Sequence, residues 1–325
     1  MSVNGRRAIL TDLPPAPGTH AGLWLDQGLA ELEEKGSVRQ EHFDGLLDVA
    51  TVPEDYRRFY QRWSRFVQTL EPCTRLAEAT TLGRMIVGLG AESILETSIT
   101  LHRTYGVPII PGSALKGLAA AAAHKHLEHP DWRKIREDGT MGPYHRILFG
   151  DTESSGYVTF HDALWIPEGE RLFLDLDVMT VHHPSYYQQE GPPPADWDNP
   201  TPVAFLSARG RFLLAVTGPE EWATAALEIL KEALDQDGIG AKTAAGYGRM
   251  SVTPRALPEK LKWEPIVAAL HFGNAGSDVP RILGQLAGEE RRRAALAIIA
   301  RFRRNELRKK QDKNWVKLVF EAEGT

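Results

Sequence analysis

Cysteine is almost missing from this chain. Cys73 is the single one among 325 residues. One thiol excludes an internal disulfide framework and any multi-cysteine zinc site. Long apolar runs are missing too. Leu118–Ala123 and Ala294–Ala300 are the longest, far short of the ~20 residues that span a bilayer. The opening residues, MSVNGRRAILTDLPP, hold no sustained apolar stretch, so no signal peptide is expected and a reducing, cytoplasmic setting follows. An excess of positive charge is also lacking. Lys and Arg number 38 against 43 Asp and Glu, a formal charge of −5. That excludes indiscriminate coating of nucleic acid, which clustered cations drive.

What remains is an ordinary globular composition, 42% apolar and 25% charged, long enough for about two units or one core with appendages. Charge is partitioned along it. From Arg291 to Lys310 there are nine basic residues and one acid, Glu306, so this window carries +8 and the rest −13. No internal repeat is evident.

The spacing predicts a mostly helical region over residues 1–80. Leu23–Lys35 and Glu41–Leu70 have helical periodicity, with Tyr56, Phe59, Tyr60, Trp63 and Phe66 on one stripe, read as a core face. Pro53 is expected at the first helical position. A core over 81–255 follows: a strand at Arg84–Leu89, a helix from Ser113 to His126 with Ser113 as its cap, strands at Tyr157–Ile166 and Arg171–Val181, a strand at Gly210–Thr217, a helix at Pro219–Asp235, and a short strand at Arg249–Thr253. Two strand–helix units sharing one sheet give an α+β class, a ferredoxin-like (RRM-like) sandwich. It carries an insertion at 182–205, a proline-rich excursion with His182, His183, Tyr186, Tyr187 and Trp197. Residues 256–325 read as a helical, basic extension.

Two loops carry the strongest signals. GIGAKTAAGYGR sets Gly238, Gly240, Gly246 and Gly248 around Lys242, Thr243 and Tyr247, and ends at Arg249. Successive amides in such a loop can cradle phosphate, with lysine as a point charge. It is not a Walker A loop, because Ala241 precedes the Lys-Thr pair, nor a dinucleotide fingerprint, because Thr243 stands at the third glycine. The bland alternative is a glycine turn without a ligand. LHRTYGVPIIPGSALKG brings His102, Arg103 and Tyr105 ahead of a helix start with Ser113 and Lys116. Helix N-termini accept anions; an incidental capped helix is the competing account. Neither loop contains an acid. In the excursion, aromatic faces could stack on bases. His182–His183 and the His124, His126, His129 set lack zinc spacing, Asp175 and Asp177 read as solvated strand carboxylates, and Asp151 as a turn cap. No metal or cofactor is expected, and no G-x-S-x-G elbow occurs.

Taken together, PGSALKG (Pro111–Gly117), FGD (Phe149–Asp151) and the glycine loop resemble the RAMP superfamily of CRISPR proteins. Gly90–Gly117 is similar, more narrowly, to the sixth-subunit family of type III-B Cmr effector complexes. The resemblance covers about Leu82–Pro254 and does not reach the basic extension. It implies a non-catalytic, guide-RNA-binding structural subunit. Such a subunit caps the filament near the 3′ end of the guide (crRNA), beside the repeated backbone subunit and another terminal RAMP. Target RNA is then a further partner and no membrane is involved. It also implies that Ser113, Lys116, Lys242, Thr243 and the loop glycines lie along the guide, and that the excursion is a thumb-like element against the guide–target duplex. Where the repeated subunit cuts with an aspartate, this chain offers Glu96. The alternative is a metal-independent endoribonuclease that processes guide precursors with His102 as general acid or base. A nucleotide-binding enzyme is a third reading, disfavoured by the spacings above.

Overall fold

The sheet is organised around a strand with charged residues in it. In the computed structural model, which describes residues 14–29, 36–70, 73–172, 174–181, 201–255, 263–286 and 288–324, β1 is Thr74–Thr81. Its Leu76, Ala77 and Ala79 are buried. Arg75 pairs with Glu220 at 2.7 Å and Glu78 with Arg211 at 2.7 Å. Those cross-element pairs let a strand with two charges run through the middle of a sheet. The two charges of β1 mask its alternation in the sequence; the strand expected at Arg84–Leu89 is instead a segment that makes only an isolated bridge, Met85 to Ala208.

Antiparallel partners flank β1 on both sides. On one side is β7 (Arg211–Thr217), with Ala77 opposite Leu214; on the other is β8 (Met250–Pro254), with Ala79 opposite Val252. Phe212 to Val216 are all buried, the continuous apolar run of a central strand. Beyond β7 lie β3 (Thr159–Phe160) and β4 (Ala163–Trp165), one expected strand broken at His161–Asp162. The edge is β2 (Ile109–Ile110). Two long helices, α4 (Gly112–His126) and α6 (Glu220–Gln236), with the short α5 (Pro143–Phe149) between them in the chain, pack on one another and supply the crossovers. With β3 and β4 as one, the order β8-β1-β7-β4 is the ferredoxin-like arrangement, an α+β fold.

Between β4 and β7 the chain makes a separate hairpin, β5 (Leu174–Val181) and β6 (Thr201–Ala208), in register from Leu174–Ala208 to Val181–Thr201. The end of the expected insertion, residues 201–205, is therefore strand, and β6 is a strand the proline-rich pattern concealed. His182, His183, Tyr186 and Tyr187 lie outside the described residues.

Among the described residues three helices precede β1: α1 (Ala21–Gln27), α2 (Gly36–Val49) and α3 (Glu54–Thr69). Pro53 and Pro219 occupy the N-caps of α3 and α6, one position ahead of that expected. Along the α3 stripe Tyr56 is fully buried and donates to the Trp165 carbonyl at 2.5 Å, whereas Phe66 is half exposed.

The chain divides into two units, Met1–Leu257 and Pro258–Thr325. The second comprises α7 (Glu264–Ala268), α8 (Ala275–Gln285), α9 (Gly288–Phe302), α10 (Arg304–Arg308) and α11 (Asn314–Glu323). It has its own core of Val279, Leu283, Ile298, Phe302, Trp315 and Val319 among others. Among the described residues no helix is long and apolar enough to cross a membrane.

Candidate nucleic-acid interface

The glycine loop leaves α6 at Asp237 and docks edge-on against residues 84–87. The Ala241 N–H donates to the Ile86 carbonyl at 2.7 Å and the Gly248 N–H to the Arg84 carbonyl at 2.8 Å. Across the same segment, Met85 exchanges two 2.8 Å backbone bonds with Ala208 of the hairpin. Close approach is the reason for two of the glycines. A Cβ at Gly240 would collide with the Ile86 carbonyl and one at Gly248 with the Ile239 carbonyl, and both have positive φ, +90° and +75°. The amides of Ile239, Ala241, Ala245, Gly246, Tyr247 and Gly248 all donate within the protein. The chemistry this loop presents outward is consequently weighted to side chains.

Lys242 is held in the left-handed region at φ +60°, with its ammonium 5.7 Å from the Phe205 ring centroid. Thr243 opens a 3-10 turn, Thr243–Ala245. The Tyr247 hydroxyl donates to Asp177 at 2.6 Å, and Arg84 meets the same carboxylate at 2.7 Å. Asp175, the neighbouring acid on β5, pairs with Arg209 at 2.9 Å. Both aspartates expected to be solvated are thus engaged. Burial works against ionisation of Asp177, but its bonds to Tyr247 and Arg84 outweigh this and hold the carboxyl below the usual range. The Tyr247 phenol is pushed up to about 12, by burial first and then by the bond to Asp177. Arg249 is exposed and donates from Nε to the Asp235 carbonyl at 2.5 Å.

The second loop is joined to the first through the chain between them. Val87 accepts from the Thr100 N–H at 2.7 Å and Leu89 from the Ser98 N–H at 3.2 Å. Segment 84–101 therefore holds the glycine loop at one end and feeds the His102 turn at the other. There the His102 carbonyl accepts from Tyr105 and Gly106, and its Nδ1 from the Thr104 N–H at 3.2 Å. The His102 ring packs against Phe59 and Tyr105, 5.5 and 4.9 Å between centroids. Burial lowers its pKa, with Asp162 opposing. At neutral pH it is an uncharged turn residue.

Ser113 is not the cap of α4. Pro111 holds that position and Gly112 is the first helical residue. Asp162 reaches across from the break between β3 and β4 to accept from the Gly112 N–H at 2.7 Å. This carboxylate already satisfies one amide of the helix start. Ser113 and Arg103 are exposed and Lys116 is half-buried. Asp162 and His161, with His102, Phe59, Trp63, Phe160 and Leu164, line a cleft of about 340 Å³. Asp162, His161, Arg84, Asp177 and Phe205 were not anticipated as members of this region, since only the fold brings them to it. Asp151 does cap its turn, accepting from Glu153 and Ser154 at 2.8 and 2.7 Å.

Glu96, at φ +61°, pairs with Arg39 of α2 at 2.9 Å. Among the described residues no three His, Cys, Asp or Glu side chains gather as a metal site. His126 instead bonds Asp237 at 2.8 Å.

A four-strand antiparallel order with two crossover helices and a glycine loop before the last strand is a RAMP-type domain. The RAMP superfamily model matches residues 78–251, more than half the chain, and the chain belongs to that superfamily. Over 249 residues it is 33% identical to the CRISPR system Cmr subunit Cmr6 of Pyrococcus furiosus, spanning 61% of this chain and 73% of that relative. By that relative it belongs, within the superfamily, to the Cmr6 family. A chain in the cryo-EM structure of the type III-B Cmr-beta complex bound to cognate target RNA superposes with a TM-score of 0.52. That pair is 17% identical, over 77% of this chain and 88% of that one, a likeness of fold.

Proposed function

We propose that this subunit is non-catalytic and binds guide RNA, capping the 3′ end of the ribonucleoprotein. The observation that carries this reading is charge left unspent on two loops joined by one segment. Among the described residues none of Arg103, Lys116, Lys242 and Arg249 has a carboxylate partner, whereas Arg84, Arg209 and Arg211 nearby are paired. Cations without acids, beside the hydroxyls of Ser113 and Thr243, suit phosphates and ribose. Such contacts grip any sequence and leave base edges free for pairing. His102, Tyr105 and Tyr247 are positioning residues in this scheme: they fix the two loops. Target RNA, the repeated backbone subunit and the other terminal RAMP are the proposed partners.

The test is guide retention in the reconstituted complex. Lys116→Ala with Lys242→Ala is expected to lower guide occupancy without altering the pattern of target cleavage. Unchanged assembly and occupancy would overturn the reading. The purified chain, incubated with labelled repeat RNA in EDTA, is expected to leave it intact. Specific cleavage that disappears in His102→Ala would establish an endoribonuclease instead.

A further inference from the structure

The strongest concentration of positive charge is in the second unit, outside the RAMP match that ends at residue 251. Residues 303–317 hold seven basic residues and two acids. Arg303, Arg308, Lys309, Lys313 and Lys317 are exposed, and among the described residues none of them has an ion pair. Two others are used internally. Arg304 pairs with Glu323, and the Lys310 ammonium sits 3.6 Å from the Phe272 ring centroid. The frame beneath is firm, because Leu307, Trp315 and Val316 are buried in the unit's core. The joint between α9 and α10 is Arg303 at φ +62°. With ψ at 126° it lies outside the left-handed helical well, in a backbone region that costs an L-residue roughly 1–3 kcal/mol and is ordinarily left to glycine. Folding alone does not account for an exposed arginine there.

We propose that this basic segment, residues 303–317, binds the phosphodiester backbone of RNA without sequence choice, in addition to the two loops of the first unit. The polymer's being RNA rests on the function proposed above. Two features favour a polyanion over a protein. The patch carries five unpaired cations. It also offers no apolar anchor: Leu296 is the only large hydrophobic residue exposed among the described residues of this unit, and it lies outside 303–317. Protein interfaces draw most of their energy from such anchors. Nor is an aromatic ring exposed in 303–317 for base stacking, since Trp315 is buried. Phosphate contact is what remains, and it has a salt signature.

The experiment uses the full chain and a labelled mixed-sequence RNA of roughly 20 nucleotides, followed by anisotropy between about 50 and 200 mM salt. Arg303→Gln, Arg308→Gln and Lys309→Gln together are expected to weaken binding at least about tenfold at the low end. The log–log salt slope should become shallower by about 2, near 0.7 per lost contact. DNA of the same sequence should lose equally, since phosphate contacts ignore the 2′-hydroxyl. Circular dichroism checks folding; should the triple variant unfold, Lys313→Gln with Lys317→Gln gives the same reading with a slope change of about 1.4. Unchanged affinity and slope would overturn the proposal, as would intact RNA binding combined with lost assembly, which assigns the face to a protein. If the Gln variants change nothing while Lys116→Ala/Lys242→Ala lowers guide occupancy, this proposal falls and the function stands. The reverse pattern leaves the basic face and removes the loops.

Discussion

Tyr247, Asp177 and Arg84 tie the glycine loop, the hairpin and the segment between them through one carboxylate. Tyr247→Phe removes one bond to a charged acceptor and leaves the Arg84 pair, so a loss of about 1–2 kcal/mol is expected in urea unfolding. The pH dependence has a defined sign. A phenol raised to about 12 stays protonated longer in the fold than in the unfolded chain. Its contribution is complete below about pH 10 and is lost as pH rises toward 12. The phenylalanine variant should lose Tyr247's share of the alkaline limb, while Tyr56 and Tyr60, both raised chiefly by burial, keep theirs. The histidines act at the other end. His42, His102, His145 and His161 all have lowered values, burial being the first cause for each. Stability present above about pH 6.5 is therefore lost on acidification, and melting temperature should fall from about pH 7 to 5. Glu96 illustrates the limit of a single letter. In sequence it stands where the repeated subunit has its cutting aspartate; in the fold its partner is Arg39, 57 residues away.

At the scale of elements, the glycine loop divides into positions the fold requires and one it does not. Gly240→Ala and Gly248→Ala each force a Cβ into a carbonyl oxygen and strain φ; each is expected to cost more than about 2 kcal/mol and to free the loop from residues 84–87. At Gly246, φ is +88° but nothing lies within 4 Å. Gly246→Ala should cost only the conformational penalty, about 1 kcal/mol. Chemical denaturation of the three variants checks the order. Had every glycine served a phosphate, the three would rank by RNA affinity instead. The loop was legible in the sequence because glycine, lysine and threonine cluster there. That the Ala241 and Gly248 amides turn inward was not, since their acceptors are the Ile86 and Arg84 carbonyls, far away in sequence. The same holds for the helix start at α4, where Asp162, some 50 residues along, meets the Gly112 amide. Strand β6 was hidden because Pro202 and the turn-rich residues before it suppress the strand signal, although an edge position tolerates proline.

For the whole molecule, charge and core divide at the same place. Each unit buries its own apolar cluster. Ile298→Ala opens a cavity in the second and should cost about 2–5 kcal/mol. Hydrogen exchange is expected to quicken across residues 263–324 while the sheet strands keep their protection. The net charge of −5 had pointed away from nucleic acid, but an average says little about a chain whose cations are unpaired in a few places. What the sequence determined by itself were the features written in local pattern: the α+β class, the helices α4 and α6, the central strand β7, the two acid-free loops and the basic end. Periodicity and composition act over a few residues, so one chain suffices to show them. Tertiary structure alone decided that a strand with two charges runs through the sheet, that β5 pairs with β6, and which of the described cations remain unpaired. Each of those depends on a partner far away in sequence, because an ion pair or a ladder bond is set by distance in space.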